Sequence, residues 1–221
     1  MNLALPQVAR AAIIEKSANI PEIVTENIAL FDSYISLSQH ITQTMLCCLS
    51  DALELDDTRR LESSHRPGKP TNTTLVLLSY PPNTDNHHVG HNKHTDIGSL
   101  TLLFSDQWGL QVVTPGTRSW SFIQPRPGHA IINVGDSLRF LSGKQLVSCL
   151  HRVVPVDETK HRYSIAYFLR PESAVEFKDP EERVITAEEW HDKKYVMFAE
   201  PHDVQAESKM LMGGMGQLLV N

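Results

Sequence analysis

Apolar positions along the 221-residue chain fall into two textures. From Glu22 to about Leu55 they recur at helical spacing, through Ile28, Phe31, Ile35, Ile41, Leu46, Leu49 and Leu53. Residues three and four apart share one helix face, so the pattern predicts one long helix or two abutting ones. Pro21 suits a first helical turn, and no proline interrupts until Pro67. The stretch "SSHRPGKPTNT" then reads as a loop.

Beyond it the period shortens. The runs "TLVLLSY" (74–80), "SLTLLF" (99–104), "LQVV" (110–113), "SWSFI" (119–123), "HAIINV" (129–134), "SLRFL" (137–141), "LVSCLHRVV" (146–154) and "RYSIAYFLR" (162–170) are rich in β-branched and aromatic residues. Turn chemistry separates them, including "PPNTDN", "TPGT", "PRPG" and "SGK". Short strands at this spacing predict a sandwich or closed barrel rather than alternating βαβ units. From Thr186 to about Met212 helical spacing returns, with Trp190, Tyr195 and Phe198 as expected inward contacts. The expected organisation is a helical segment over 1–70, a β core over 71–180 and a helical segment over 181–221.

Composition narrows the partners more than the fold. With 41% hydrophobic and 21% charged residues, the chain suits one well-buried globular domain. A formal charge of -6 argues against nucleic acid or an anionic membrane as the main partner, since both attract a basic face. No apolar run approaches the roughly 20 residues needed to span a bilayer, and "MNLALPQVARAAIIEK" lacks the basic start of a signal peptide. The three cysteines make no disulfide framework. A reducing, cytoplasmic setting is expected.

The densest chemistry lies in "HNKHTDIGSLT" (91–101). On an extended strand residues two apart point to one face, so His94 and Asp96 can converge on one ion. Two ligands are too few to hold a divalent metal against water. His151, in the apolar run "SCLHRVV", is the candidate third ligand. Two histidines and one carboxylate leave open positions on octahedral iron(II). The plainer alternatives are a chance His-x-Asp pair and a hydrogen-bonded core histidine. His87, His88 and His91 read as solvated loop residues; His40, His65, His129, His161, His191 and His202 read as structural or surface. In "HRYSIAYFLR", Arg162 and Ser164 are two apart and form a fork suited to a carboxylate. The alternative for Arg162 is an exposed position on an edge strand.

Taken in order, "HTDIGSLTLLF", "GLQV", "PRPGHAIINVGDSLRFLS", "CLHRVV" and the Arg-x-Ser of "RYSIAYF" resemble the isopenicillin N synthase-like family of iron(II)- and 2-oxoglutarate-dependent oxygenases. The resemblance runs over roughly residues 72 to 177 and is closest to fungal members that tailor secondary metabolites. It implies a mainly β fold with flanking helices, built on a distorted double-stranded β-helix of the jelly-roll or cupin kind. It implies His94, Asp96 and His151 as iron ligands, and Arg162 and Ser164 as holders of the distal carboxylate of 2-oxoglutarate. Tyr80 matches a tyrosine that bonds a carboxylate near the metal; the alternative is a core tyrosine at a strand end. Iron(II), 2-oxoglutarate and O2 would together hydroxylate, desaturate or cyclise a small organic substrate, releasing succinate and CO2.

Relative to most family members the chain is short at its N-terminus, which raises the expectation of a protein partner completing the substrate pocket. Two other functions remain open on sequence: an oxidase that uses no 2-oxoglutarate, and an inactive metal-binding accessory subunit. A zinc hydrolase is disfavoured, because no His-Glu-x-x-His helix is present.

Overall fold

The computed structural model describes residues 21–82, 91–114, 119–154, 156 and 159–215. The helical opening forms as α1 (Glu22–Glu26) and α2 (Ile28–Ala52), abutting at Asn27. The β core comprises β1 (Thr74–Tyr80), β2 (His91–His94), β3 (Leu100–Phe104), β4 (Leu110–Val113), β5 (Trp120–Phe122), β6 (Ile131–Val134), β7 (His151–Val153) and β8 (Arg162–Leu169). They pair antiparallel in two four-stranded sheets, ordered β1-β8-β3-β6 and β2-β7-β4-β5. The inner faces of both sheets line one cavity, which is the jelly-roll arrangement of a double-stranded β-helix.

Strand alternation decides what lies inside. On β1, β3 and β8 one set of residues (Leu75, Leu100, Leu102, Tyr167 and Leu169) packs outward against Ile35 and Leu46 of α2. The opposite set, including Leu103 and Ala166, meets Leu110 and Val153 of the second sheet and forms the dry part of the interior. The long helix therefore backs one sheet and leaves its inner face free for the site.

Two expectations need correction. "SLRFL" is not a strand but part of helix α3 (Asp136–Leu141). Leu138 and Phe140 alternate as in a strand, yet the short helix is wedged between two cores, with Leu138 in the sheet–helix core and Phe140 against Phe177 and Trp190. A helix buried on both sides mimics a period of two. Within "LVSCLHRVV" only His151–Val153 pairs as strand. The preceding turn uses its groups elsewhere: Ser148 Oγ donates to Asp136 Oδ1 at 2.9 Å, and Cys149 N donates to Val134 O at 3.3 Å.

The C-terminal part opens with a hairpin, β9 (Glu176–Lys178) and β10 (Val184–Thr186), that the sequence pattern did not reveal. Then come α4 (Ala187–Met197) and α5 (His202–Glu207), so the expected helical segment is interrupted after Met197, with Pro201 preceding the second helix. Thr186 and Glu189 form a reciprocal cap at the start of α4. Among the described residues no helix is long and apolar enough to cross a membrane.

Candidate metal centre

His94 ends β2 and sits directly opposite His151 of β7 in the antiparallel register. Asp96 lies two residues further, just past the strand. Loop and helix are stapled together here: the backbone N–H groups of Gly135, Asp136 and Ser137 donate to the carbonyls of Ser99, Asp96 and Gly98 at 2.9, 2.8 and 3.0 Å. The first N–H groups of a helix have no internal partner, so α3 uses them to hold the Asp96 turn.

All three side chains are buried, and their ligand atoms lie within 4.8 Å of one another. Asp96 Oδ1 is 3.7 Å from His94 Nε2 and 3.5 Å from His151 Nε2. His94 Nδ1 contacts the Asn92 carbonyl at 2.7 Å, and His151 Nδ1 contacts the Cys149 carbonyl at 3.0 Å. A carbonyl can only accept, so each Nδ1 donates to it and each Nε2 is the ring atom that faces Asp96. Burial first, then the neighbouring His151 and His91, hold His94 well below the ordinary imidazole range, which keeps it neutral. Thr101 Oγ1 donates to Asp96 Oδ2 at 2.5 Å, leaving Oδ1 to face the imidazoles. Two imidazole nitrogens and one carboxylate oxygen converging at this spacing fit a divalent ion with open positions, the donor set of non-haem iron(II).

The second group lines the same cavity, which has a volume of about 490 Å³. Arg162 begins β8, a central strand between β1 and β3, and is 7% exposed, so the edge-strand alternative falls. Register places Tyr80 opposite Arg162 and Leu78 opposite Ser164. The Arg162 guanidinium carbon lies 5.2 Å from the Tyr80 ring centre, and burial pushes the Tyr80 pKa up, with Arg162 and Ser164 acting against it. Arg162 Nε donates to the Trp108 carbonyl at 3.1 Å, while Nη1 is buried without a partner among the described residues. Gly109 makes room for this contact: its φ is +129°, and a Cβ there would lie 2.8 Å from Val154 O and 3.1 Å from Arg162 Nε. A buried guanidinium with a free donor beside two hydroxyls suits a carboxylate in geometry and charge.

His91 departs from expectation. It belongs to β2 and is half-buried, with its ring 4.3 Å from that of His94 and 5.5 Å from Phe198. Burial lowers its pKa to about 4, so it is a packing partner rather than a solvated base. His87 and His88 lie outside the described residues. Phe198 also meets the His94 ring at 5.3 Å, so the C-terminal part contributes to the cavity wall beside the histidines. Tyr195 lines the cavity yet is 44% exposed, whereas Trp190 is an ordinary core residue.

The sequence reading missed Thr101 and the buried pair formed by Lys194 and Asp136. Lys194 Nζ lies 2.5 Å from Asp136 Oδ2 and 2.7 Å from Thr95 Oγ1, with both charged side chains fully buried. Nothing local links Lys194 to Thr95, which is 99 positions away. Thr101, by contrast, shares the inward parity of Leu103 and could have been found from alternation.

Residues 71–171 match the model of the 2OG-Fe(II) oxygenase superfamily. The chain is 58% identical over 205 residues to 2-oxoglutarate-dependent dioxygenase iboH of Amanita muscaria, covering 90% of this chain and 100% of that protein. It is 45% identical to 2-oxoglutarate-dependent dioxygenase gloE of Glarea lozoyensis, covering 89% of this chain and 60% of that one. A full-length Neurospora crassa protein, solved in complex with alpha-KG, superposes with a TM-score of 0.64 at 23% identity, covering 80% of this chain and 59% of that chain. The chain thus spans the whole of the Amanita relative but about three fifths of the other two.

Proposed function

Because the chain belongs to the 2OG-Fe(II) oxygenase superfamily, we propose that His94, Asp96 and His151 hold the iron and that Arg162, Ser164 and Tyr80 anchor the distal carboxylate of 2-oxoglutarate. The substrate is a small organic molecule, in our reading a secondary metabolite, that enters beside the co-substrate. When bound, iron(II) with 2-oxoglutarate and O2 supplies the oxidant that removes hydrogen from an unactivated C–H bond, with succinate and CO2 as by-products.

The observation that carries this reading is the pairing, in one cavity, of three lone-pair donors with a buried arginine whose Nη1 has no partner among the described residues. The residues' work is placement. Thr101 turns Asp96 so that one oxygen faces the imidazoles. Arg162 fixes the far end of the co-substrate, and so the position of its other end. Leu103, Leu110, Val153 and Ala166 exclude water from the interior. Substrate position then selects the C–H bond, and with it hydroxylation, desaturation or ring closure.

The test is an anaerobic titration with iron(II) and 2-oxoglutarate, read by the weak charge-transfer absorption of the chelate. The band should form at one equivalent of each and succinate should follow on admitting O2. Oxygen uptake without succinate would instead indicate an oxidase that does not use 2-oxoglutarate. Absence of the band would contradict the assignment. Arg162→Ala should raise the 2-oxoglutarate requirement by about 30-fold or more, since truncating one partner of a buried charge pair costs about 2–5 kcal/mol. An unchanged requirement would remove Arg162 from the anchor.

A further inference from the structure

A second buried arginine faces this cavity and takes no part in holding the metal or the co-substrate. Arg170 follows β8 directly and keeps the parity of its inward face, after Arg162, Ser164, Ala166 and Phe168. It is 6% exposed and lines the cavity on the Asp96 side: a Cβ on Gly98 would fall 2.7 Å from its Cγ, so that glycine lets the arginine stem lie flat against the metal turn. Nη1 donates to the Asn72 carbonyl and, at 2.8 Å, to Thr74 Oγ1, which fixes the plane of the guanidinium. Nε is buried with no partner among the described residues.

No carboxylate hydrogen-bonds this cation among the described residues. The largest acidic influence on it is Asp96, but its Oδ2 is taken by Thr101 and its Oδ1 faces the imidazoles. Burial therefore pushes Arg170 down to about 10. A desolvated guanidinium with a free donor is a costly feature unless an occupant supplies the anion. The cavity thus carries a buried cation at each end of the inward face of β8, and co-substrate and substrate share its volume of about 490 Å³. Phe168 lies under Arg170, with the guanidinium carbon 5.4 Å from the ring centre, and offers an apolar face next to the charge.

We propose that Arg170 binds a carboxylate on the substrate, so that this enzyme oxidises small carboxylic acids and rejects their neutral analogues. The inference rests on the oxygenase reading above and deepens it. A site built to pair a buried charge rejects a neutral analogue because the donor would then be left unmet.

The test uses the full chain loaded anaerobically with iron(II) and 2-oxoglutarate. Butyrate, hexanoate and phenylacetate are titrated in, each beside its primary amide, and the charge-transfer band is followed. At least one acid should shift the band without bleaching it, and its amide should not. Arg170→Gln should weaken that acid by at least about 30-fold while the band itself still forms, which reports a folded site. Arg170→Lys should recover part of the affinity. Acids and amides acting alike, acids that only bleach the band by displacing 2-oxoglutarate, or an acid affinity indifferent to Arg170→Gln would each overturn the proposal. If the band never forms in the unaltered protein, the oxygenase reading fails first, and this inference with it.

Discussion

Asp96, the proposed carboxylate ligand, is held with little freedom. Its carbonyl accepts from Asp136 N, its Oδ2 accepts from Thr101, and only Oδ1 is left to face His94 and His151. Thr101→Val keeps the shape and removes the donor, so iron affinity should fall by about 10- to 100-fold in a chelator competition. Wild-type affinity would mean that Asp96 needs no such orientation. His94 and Asp96 were legible because they sit two apart at a strand end, and His151 because a lone histidine interrupts an apolar run. Arg162 and Ser164 were legible for the same reason of parity. Arg170 shares that parity and was passed over, since the terminal Arg of "RYSIAYFLR" reads equally well as a strand ending in solvent. Only the third dimension shows it buried.

At the scale of elements, the metal turn depends on pieces far away in sequence. Lys194 of α4 reaches Asp136 at the start of α3, Thr95 N donates to Leu211 O at 2.9 Å, and Arg139 bonds the Gly213 carbonyl. Lys194→Ala leaves a fully buried Asp136 carboxylate without its cation, at a cost of about 3–5 kcal/mol. A denaturant melt should show that loss, and iron should bind more weakly in the same variant. An unaltered midpoint would mean that Asp136 finds another partner or a proton. The strands β1, β3, β4 and β8 were readable because each has a long enough run with turn residues at its ends. Helix α3 was not, because burial on both sides erased its period. The β9–β10 hairpin was not, because three-residue strands in the charge-rich "EFKDPEERVIT" bury only Phe177 and Ile185.

For the whole molecule, pH sensitivity follows from neutral buried imidazoles. His65 joins the turn after α2 to the metal loop, through Nδ1 to the Leu61 carbonyl at 2.8 Å and Nε2 to Ser99 Oγ at 2.7 Å. Burial lowers it from 6.5 to about 4. The unfolded chain then binds the extra proton first, so stability is complete above pH 6.5 and declines as pH falls toward 4. The loss approaches about 3 kcal/mol at the low end, from about 1.36 kcal/mol per unit. Unfolding free energies measured across this window should slope upward with pH, and His65→Gln should flatten the slope; a slope untouched by that change would exclude His65 as its source. The claim on which the rest depends is that strands β2 and β7 bring three side chains onto one ion inside the jelly roll. Crystals grown without oxygen in manganese(II) and 2-oxoglutarate would test it through the anomalous signal of the metal. We expect a single peak at bonding distance from His94 Nε2, Asp96 Oδ1 and His151 Nε2, with the distal carboxylate of 2-oxoglutarate against Arg162. A metal peak elsewhere in the fold, with these three side chains unbound, would contradict the account.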